Sequence, residues 1–316
     1  MNKGERPGGT LQTTIKSSVS FDGVGLHSGA PVRMTILPAL PNSGIVFRRM
    51  DNVPGRRDIR ALWNLVHQSP LCTRLENEDG VTVSTVEHIM AALMGCGVHN
   101  AVVEVDGPEV PILDGSSAAF VRGILGKGLR RINVPLKVYR ITDTIEVRRG
   151  DSWARFTPHD RLLIDFRIEF KDAAIGTQKK TLDMSNGSFV RELSNSRTFC
   201  RKADVDAMHA QGLALGGTYE NAVVVDGDRV LSPGGLRHKD EAVRHKMLDA
   251  LGDLGLAGAP ILGHYEGFKA GHALTNDLLR AMFAQPECFE KVTCSDEMAA
   301  KLPGAGVHWD EIPEVA

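Results

Sequence analysis

KVYRITDTIEVRRGDSWARFTPHDRLLIDFRIEF, residues 137–170, decides the fold class. KVYRITDTIEV and WARFTP are strand-like runs joined by the turn residues RRGDS, which reads as a hairpin. LLIDFRIEF then alternates, with Ile164, Phe166, Ile168 and Phe170 on one face. A period of two with one apolar face predicts a half-buried antiparallel strand. Helices are expected only afterwards: around FVRELSNS (189–196), over ADVDAMHAQG (203–212), from about Asp240 to Leu256, and finally across TNDLLRAMFA (275–284). Strands NAVVVD (221–226) and PILGHY (260–265) separate them.

Working back toward the amino terminus, a similar plan recurs. VRMTILP (32–38), GIVFRR (44–49), VTVST (81–85) and AVVEV (101–105) read as strands. VEHIMAALMG (86–95) and SAAFVRGIL (117–125), the latter closed by Gly126 and Gly128, read as helices. The first ten residues are polar and glycine-rich and are expected to be loose. Neither half has the strand–helix alternation of a doubly wound sheet, so the expectation is α+β. The chain of 316 residues suits two domains, divided near INVPLKV at 1–135 and 136–316.

Composition narrows the function. Lys and Arg total 37 against 39 Asp and Glu, a formal charge of −2. This balance lacks the basic footprint of a nucleic-acid-binding protein. The five cysteines form no Cys-x-x-Cys pair, which argues against a disulfide framework or a cysteine-rich zinc knuckle. No window is apolar enough to span a bilayer, and the amino terminus lacks a secretory pattern, so a cytoplasmic location is expected.

The chemistry lies in scattered short motifs. In VRHKMLDALGDL (243–254), His245 and Asp249 are one helical turn apart, and Asp253 continues the stripe. That spacing suits either a shared metal ion or a surface ion pair. In STVEH (84–88), Ser84 and Glu87 fit a capping box, which would explain Glu87 without chemistry. His88 follows at the helix start, where the Glu-His pair could instead set a carboxylate beside a metal ligand. FKAGH (268–272) offers a loop histidine, and SRTF (196–199) offers the Thr198 hydroxyl beside an apolar Phe199.

Taken together and in this order with GVGLHSG (23–29), LCT (71–73), EVPILDGSS (109–117) and LGG (215–217), these motifs resemble the zinc-dependent UDP-3-O-acyl-N-acetylglucosamine deacetylases of lipid A synthesis. The resemblance runs from about residue 11 to at least 290. It implies two similar α+β domains packed helix layer to helix layer, each with an insertion, near 65–83 and 201–221. It implies His88, His245 and Asp249 as zinc ligands, with iron(II) also compatible with that donor set. It implies Glu87 as the base that activates a zinc-bound water, and Thr198 as donor to the oxyanion. His272 would be the cationic or general-acid group, oriented by Asp253.

Lys246, Lys269, Glu169 and Phe170 resemble residues that meet the nucleotide and sugar-phosphate, and Leu71, Phe199 and Gly217 resemble the mouth of an acyl-chain passage. The implied reaction releases acetate from the 2-acetamido group of a UDP-3-O-(hydroxyacyl)-N-acetylglucosamine, by a monomer. Some members carry a basic residue where this chain has Ser152, which leaves a phosphate contact there open. His27 could line the site or hold the first hairpin, and the structural reading is the one preferred. Two other functions are weighed: a non-catalytic module that binds a UDP-sugar or acyl ligand, disfavoured because Glu87 and the three metal-ligand residues are all present, and a zinc hydrolase of another amide such as a peptidase.

Overall fold

The computed structural model describes residues 9–51, 54–67, 69, 71–307 and 309–313, so most of the polar amino-terminal stretch, residues 1–8, lies outside the described residues. The fold is α+β. A five-stranded sheet runs in the order Val19–Val24, Pro31–Pro38, Ala101–Val105, Ile45–Arg49, Asp58–Arg60. Helices α1 (Glu87–Gly95) and α2 (Ala118–Lys127) supply Ile89, Leu93, Phe120 and Ile124 to the core that also takes Met34, Ile36, Phe47 and Val103 from this sheet. Alternation explains the sheet's side of that contact: Ile45, Phe47 and Arg49 are buried while Val46 and Arg48 between them are less so.

The second sheet has seven strands. Ile145–Arg149, Ser152–Thr157, Ile261–Phe268, Lys137–Ile141 and Phe289–Thr293 follow one another, and Leu162–Glu169 pairs with both Ile261–Phe268 and Thr177–Asp183. Three sequence expectations are corrected here. The hairpin is Ile145–Arg149 with Ser152–Thr157, turning at Gly150 (φ 62°); Lys137–Ile141 leaves it and pairs with Phe289–Thr293 instead. Thr142, Asp143 and Thr144 break the long run, because they cannot fill an apolar face. Leu162–Glu169 is antiparallel to Thr177–Asp183 but parallel to Ile261–Phe268. The last expected helix, read from Thr275, begins three residues earlier at His272, and the strand Phe289–Thr293 follows it.

Both insertions are small sheets. Val66–His67, Arg74–Glu76 and Thr82–Val83 form the first. In the second, Phe199–Arg201 passes through α3 (Lys202–Ala210) to Val223–Asp226, which lies parallel to it. This is a strand–helix–strand crossover, the connection that parallel pairing requires.

The two halves meet through α1 and α4 (Glu241–Leu254), while α5 (His272–Ala284) packs beside α4. Twelve of the fourteen residues of α4 are buried, including His245, Asp249 and Asp253. The stripe that could have been a surface ion pair is therefore interior. Gly252 on that stripe and Gly255 just past the helix end let the helices touch. A Cβ at Gly252 would lie 2.1 Å from the Glu87 carbonyl oxygen, and one at Gly255 would lie 2.7 Å from Met94 Cγ. Helix-interior glycine costs roughly 1 kcal/mol relative to alanine, and here close backbone approach accounts for it.

Gly252→Ala is thus expected to destabilise the protein by about 1–3 kcal/mol or more, because the obstacle is backbone rather than a flexible side chain. Urea unfolding of the variant checks this; a midpoint at or above that of the parent would refute the close contact.

Candidate active site

α1 begins at Glu87, and its N-cap residue, Val86, contributes no side-chain cap. The expected capping box does not form. Ser84 instead bridges to Glu109, and the Glu87 carboxylate leaves its own helix: its Oε2 accepts the Thr73 N–H at 3.0 Å. The Thr73 carbonyl in return accepts the Val86 N–H at 3.3 Å. The box fails because Thr85 takes a left-handed conformation (φ 61°), which turns the chain sharply before the helix. A β-branched residue is strained there. Its hydroxyl donates to the buried Glu109 carboxylate at 2.8 Å.

Glu87 and His88 at the start of α1 thus face His245, Asp249 and Asp253 on α4. Among the described residues, one group of three could hold a metal ion: His88, His245 and Asp249, whose donor atoms all lie within 4.8 Å of one another. Asp249 Oδ1 is 3.3 Å from His245 Nε2 and 3.6 Å from His88 Nε2. This oxygen is buried and has no hydrogen-bond partner. A buried unpartnered carboxylate oxygen carries a desolvation cost that a cation would offset. His245 Nδ1 lies 3.0 Å from the Ser196 carbonyl, which only accepts, so the proton sits on Nδ1 and Nε2 presents its lone pair to the centre.

Burial, reinforced by His245, pushes the His88 ring down to about 3, and burial also lowers His245. Both rings are therefore neutral and able to ligate. Asp249 is held well below the carboxylate range by His245, Lys246, His272 and His88, against the effect of its burial. Two neutral imidazoles and one ionised carboxylate around an orphaned oxygen fit a divalent metal and leave room for a further ligand.

Glu87 and His272 flank this group. Burial raises the Glu87 carboxyl to about 7, opposed by His272 and assisted by Asp249 and Asp253. His272 sits at the first position of α5. Its Nδ1 is 2.8 Å from Asp253 Oδ2, and its Nε2 is 3.7 Å from Glu87 Oε1 and 3.9 Å from Asp249 Oδ2. Burial alone would lower this ring, but Asp253, Glu87 and Asp249 outweigh it and raise it to about 9. Asp253 Oδ1 in turn accepts the Thr73 hydroxyl at 2.5 Å. Lys246 donates to Asp249 Oδ2 at 2.8 Å, and that attraction raises its pKa in spite of burial.

A cleft of about 790 Å³ opens onto Asp249, Lys246, His245 and His272. Leu71, Phe170, Thr198, Phe199 and Gly217 line it, together with Val205, Met208 and Leu213 from the second insertion. Phe170 and Phe199 meet edge to face, with ring centroids 5.4 Å apart. Thr198 is fixed by its backbone, its N–H donating to the Gly115 carbonyl and its carbonyl accepting the Val223 N–H, each at 2.8 Å. Gly115 (φ 82°) is packed so tightly that a Cβ would meet the Asn221 carbonyl, which accounts for the glycine of EVPILDGSS. Lys269 and Glu169 do not line the cleft; Lys269, just past the end of the strand Ile261–Phe268, is held by Asp151 at 2.8 Å and Glu169 at 3.0 Å.

Sequence reasoning missed two contributors, Thr73 and Glu109, and preferred a structural role for a third, His27. Thr73 binds both Glu87 and Asp253. The Glu109 carboxylate accepts the His27 N–H, the Ser28 N–H and the Ser28 hydroxyl, at 2.9, 2.9 and 2.8 Å, and so anchors GVGLHSG. His27 does hold that turn through its backbone, but its ring lines the cleft with both nitrogens buried and unpartnered. All three residues fall within the sequence motifs, yet their partners lie far away in sequence.

Comparison with known proteins agrees with the motif reading. A family model described as LpxC, UDP-3-O-acyl N-acetylglycosamine deacetylase, matches residues 12–284. The UDP-3-O-acyl-N-acetylglucosamine deacetylase of Pasteurella multocida (strain Pm70) is 46% identical over 291 residues, covering 91% of this chain and 95% of that protein. Proteins of the same name from Idiomarina loihiensis and Sodalis glossinidius are also 46% identical, covering 91% and 92% of this chain and 94% and 95% of their own lengths. This chain therefore belongs to the UDP-3-O-acyl N-acetylglycosamine deacetylase family.

Proposed function

We propose that this protein hydrolyses the 2-acetamido group of a UDP-3-O-[(3R)-hydroxyacyl]-N-acetylglucosamine, releasing acetate and the free amine in lipid A biosynthesis. The observation that carries this reading is the convergence of Glu87, His272 and the His88–His245–Asp249 group, of which His245, Asp249 and His272 line a largely apolar cleft. The division into residues 1–135 and 136–316 serves the same reading. The first part supplies Glu87 and His88, and the second supplies His245, Asp249, Asp253 and His272.

His88, His245 and Asp249 would hold zinc, and the same donors also accept iron(II). Zinc held there supplies Lewis acidity, which makes water a better nucleophile near neutral pH and polarises a carbonyl. Glu87 takes a proton from the attacking water through Oε1, since Oε2 is already committed to Thr73. Its raised proton affinity suits a base that must keep that proton until the carbon–nitrogen bond breaks. Water adds to the acetamido carbonyl carbon, negative charge develops on oxygen, and the Thr198 hydroxyl donates to it. The C–N bond then breaks, and nitrogen receives a proton from Glu87 or from His272 Nε2. Asp253 on Nδ1 keeps the His272 ring protonated and aimed.

The acyl chain is assigned to the cleft between Leu71, Phe199 and Gly217, where the lining is apolar. Lys246, Phe170, Lys269 and Glu169 are assigned to the nucleotide and sugar-phosphate side.

The direct test is acetate release from the UDP-acylated sugar with and without a chelator. Activity is expected in the untreated protein, lost on metal removal and restored by zinc; activity unchanged by exhaustive chelation would end the metal assignment. By elemental analysis, His88→Ala, His245→Ala and Asp249→Ala should each lose most of their zinc. Glu87→Gln keeps an oxygen for the Thr73 N–H but cannot accept a proton from water. It should retain metal while kcat falls on the order of a hundredfold or more. His272→Ala should lower kcat by a similar order with metal retained. Comparison with His272→Lys separates the roles: substantial rescue indicates that charge is the essential property, and no rescue indicates proton delivery.

A further inference from the structure

Thr73 makes three polar contacts, all to functional parts of the molecule. Its carbonyl accepts the Val86 N–H at the start of α1, its N–H donates to Glu87 Oε2, and its hydroxyl donates to Asp253 Oδ1. It stands just before the strand Arg74–Glu76 of the first insertion and is 3% exposed. Glu87 belongs to α1 and Asp253 to α4, so one residue from a third element fixes a carboxylate on each. Asp253 spends its other oxygen on His272 Nδ1. The chain of contacts is therefore Glu87, Thr73, Asp253, His272, and its ends face one another again at 3.7 Å between Glu87 Oε1 and His272 Nε2.

We propose that Thr73 is a positioning residue that sets the distance and orientation between Glu87 and His272, by holding Glu87 through its amide and Asp253 through its hydroxyl. The inference rests on the reading of Glu87 and His272 as the proton-handling groups. A carboxylate held through only one oxygen is less firmly oriented about its last bond than one held through both. Without the Thr73 hydroxyl, Asp253 Oδ1 is a buried acceptor with no partner among the described residues, and such a group turns to find another. Rotation of Asp253 swings the His272 ring, because Nδ1 follows Oδ2. No metal ligand need move for this to happen, since His88, His245 and Asp249 are not among the contacts of Thr73. A mere tether of the insertion would need the backbone contacts but not the hydroxyl.

The substitution Thr73→Val keeps the amide, the carbonyl and the branched shape, and removes only the hydroxyl; Thr73→Ala does so with less bulk, and Thr73→Ser keeps it. In the zinc-loaded enzyme, Thr73→Val should lower kcat on the order of ten- to a hundredfold, the range of a lost hydrogen bond to a charged group, with KM changed by less than about twofold. Thr73→Ser should restore kcat to within a few-fold of the parent. Metal content should stay at the parent's level in all three. Nitrogen-15 spectra of the His272 ring should show a displaced Nδ1 resonance in the Val and Ala variants and a parent-like one in Ser.

Parent-like kcat and an unmoved Nδ1 resonance in both Val and Ala would overturn the proposal, as would a Ser variant as impaired as Val. Should Val fail to fold, Ala and Ser decide by the same readouts. If the parent itself lacks deacetylase turnover, the reading of the reaction fails, and the His272 resonance still decides whether Thr73 holds the ring.

Discussion

The contact of Gly252 with the backbone of Glu87 governs the arrangement of this molecule. It is where helices from the two halves of the chain touch without an intervening side chain. His245, Asp249 and Gly252 share one face of α4, so the close approach that glycine permits also brings that face onto the first turn of α1. A larger residue at 252 would separate the layers, and the donor atoms of His88 and Asp249 would move apart with them. Site and interdomain packing are in this sense a single structure. The two sheets behind the helices serve as rigid supports, their apolar faces filled by α1, α4 and α5.

Such an interface places charge where water is scarce. Glu87, Asp249 and Asp253 are all buried, and the facing cations are Lys246 and protonated His272. The two neutral histidines add none. Three carboxylates against two cations leave an excess of negative potential at the point where the orphaned oxygen lies, and a divalent ion relieves it. His272 and Glu87 are both displaced in the direction of proton retention, but for different reasons: burial raises Glu87, whereas Asp253, Glu87 and Asp249 raise His272 against its burial.

Much of this is legible in the amino-acid sequence. Alternation in residues 162–170 and helical spacing in 86–95 and 240–256 locate the main elements, because each buries one apolar face. The ordered motifs, through the family they resemble, imply Glu87, His88, His245, Asp249 and His272 as one group. What the sequence does not yield has a physical reason in each case. Whether Leu162–Glu169 has parallel or antiparallel neighbours depends on its partners and leaves no trace in its own pattern. The strand Phe289–Thr293 is short and lies at the sheet edge, with no buried residue to mark it. The capping box at Ser84 is a sound local rule overridden by the turn at Thr85. Thr73 and Glu109 work through partners 180 and 82 positions distant, and spacing rules carry no information at that range.

The second insertion closes its own hydrogen bonds. Phe199–Arg201 pairs with Val223–Asp226 across α3, none of whose nine residues is fully buried. Its far end is pinned to the opposite wall, where the Gly216 N–H donates to the Leu26 carbonyl and the Leu215 N–H to the His27 carbonyl. The segment behaves as a cassette hung between two fixed points. Val205 and Met208 lie on α3, are not fully buried and line the cleft, while Thr198 sits at the root of the segment. Under the proposed function, changes in this segment would alter how much hydrocarbon the cleft wall accommodates, while Glu87, His88, His245, Asp249 and His272 sit apart from it on α1, α4 and α5.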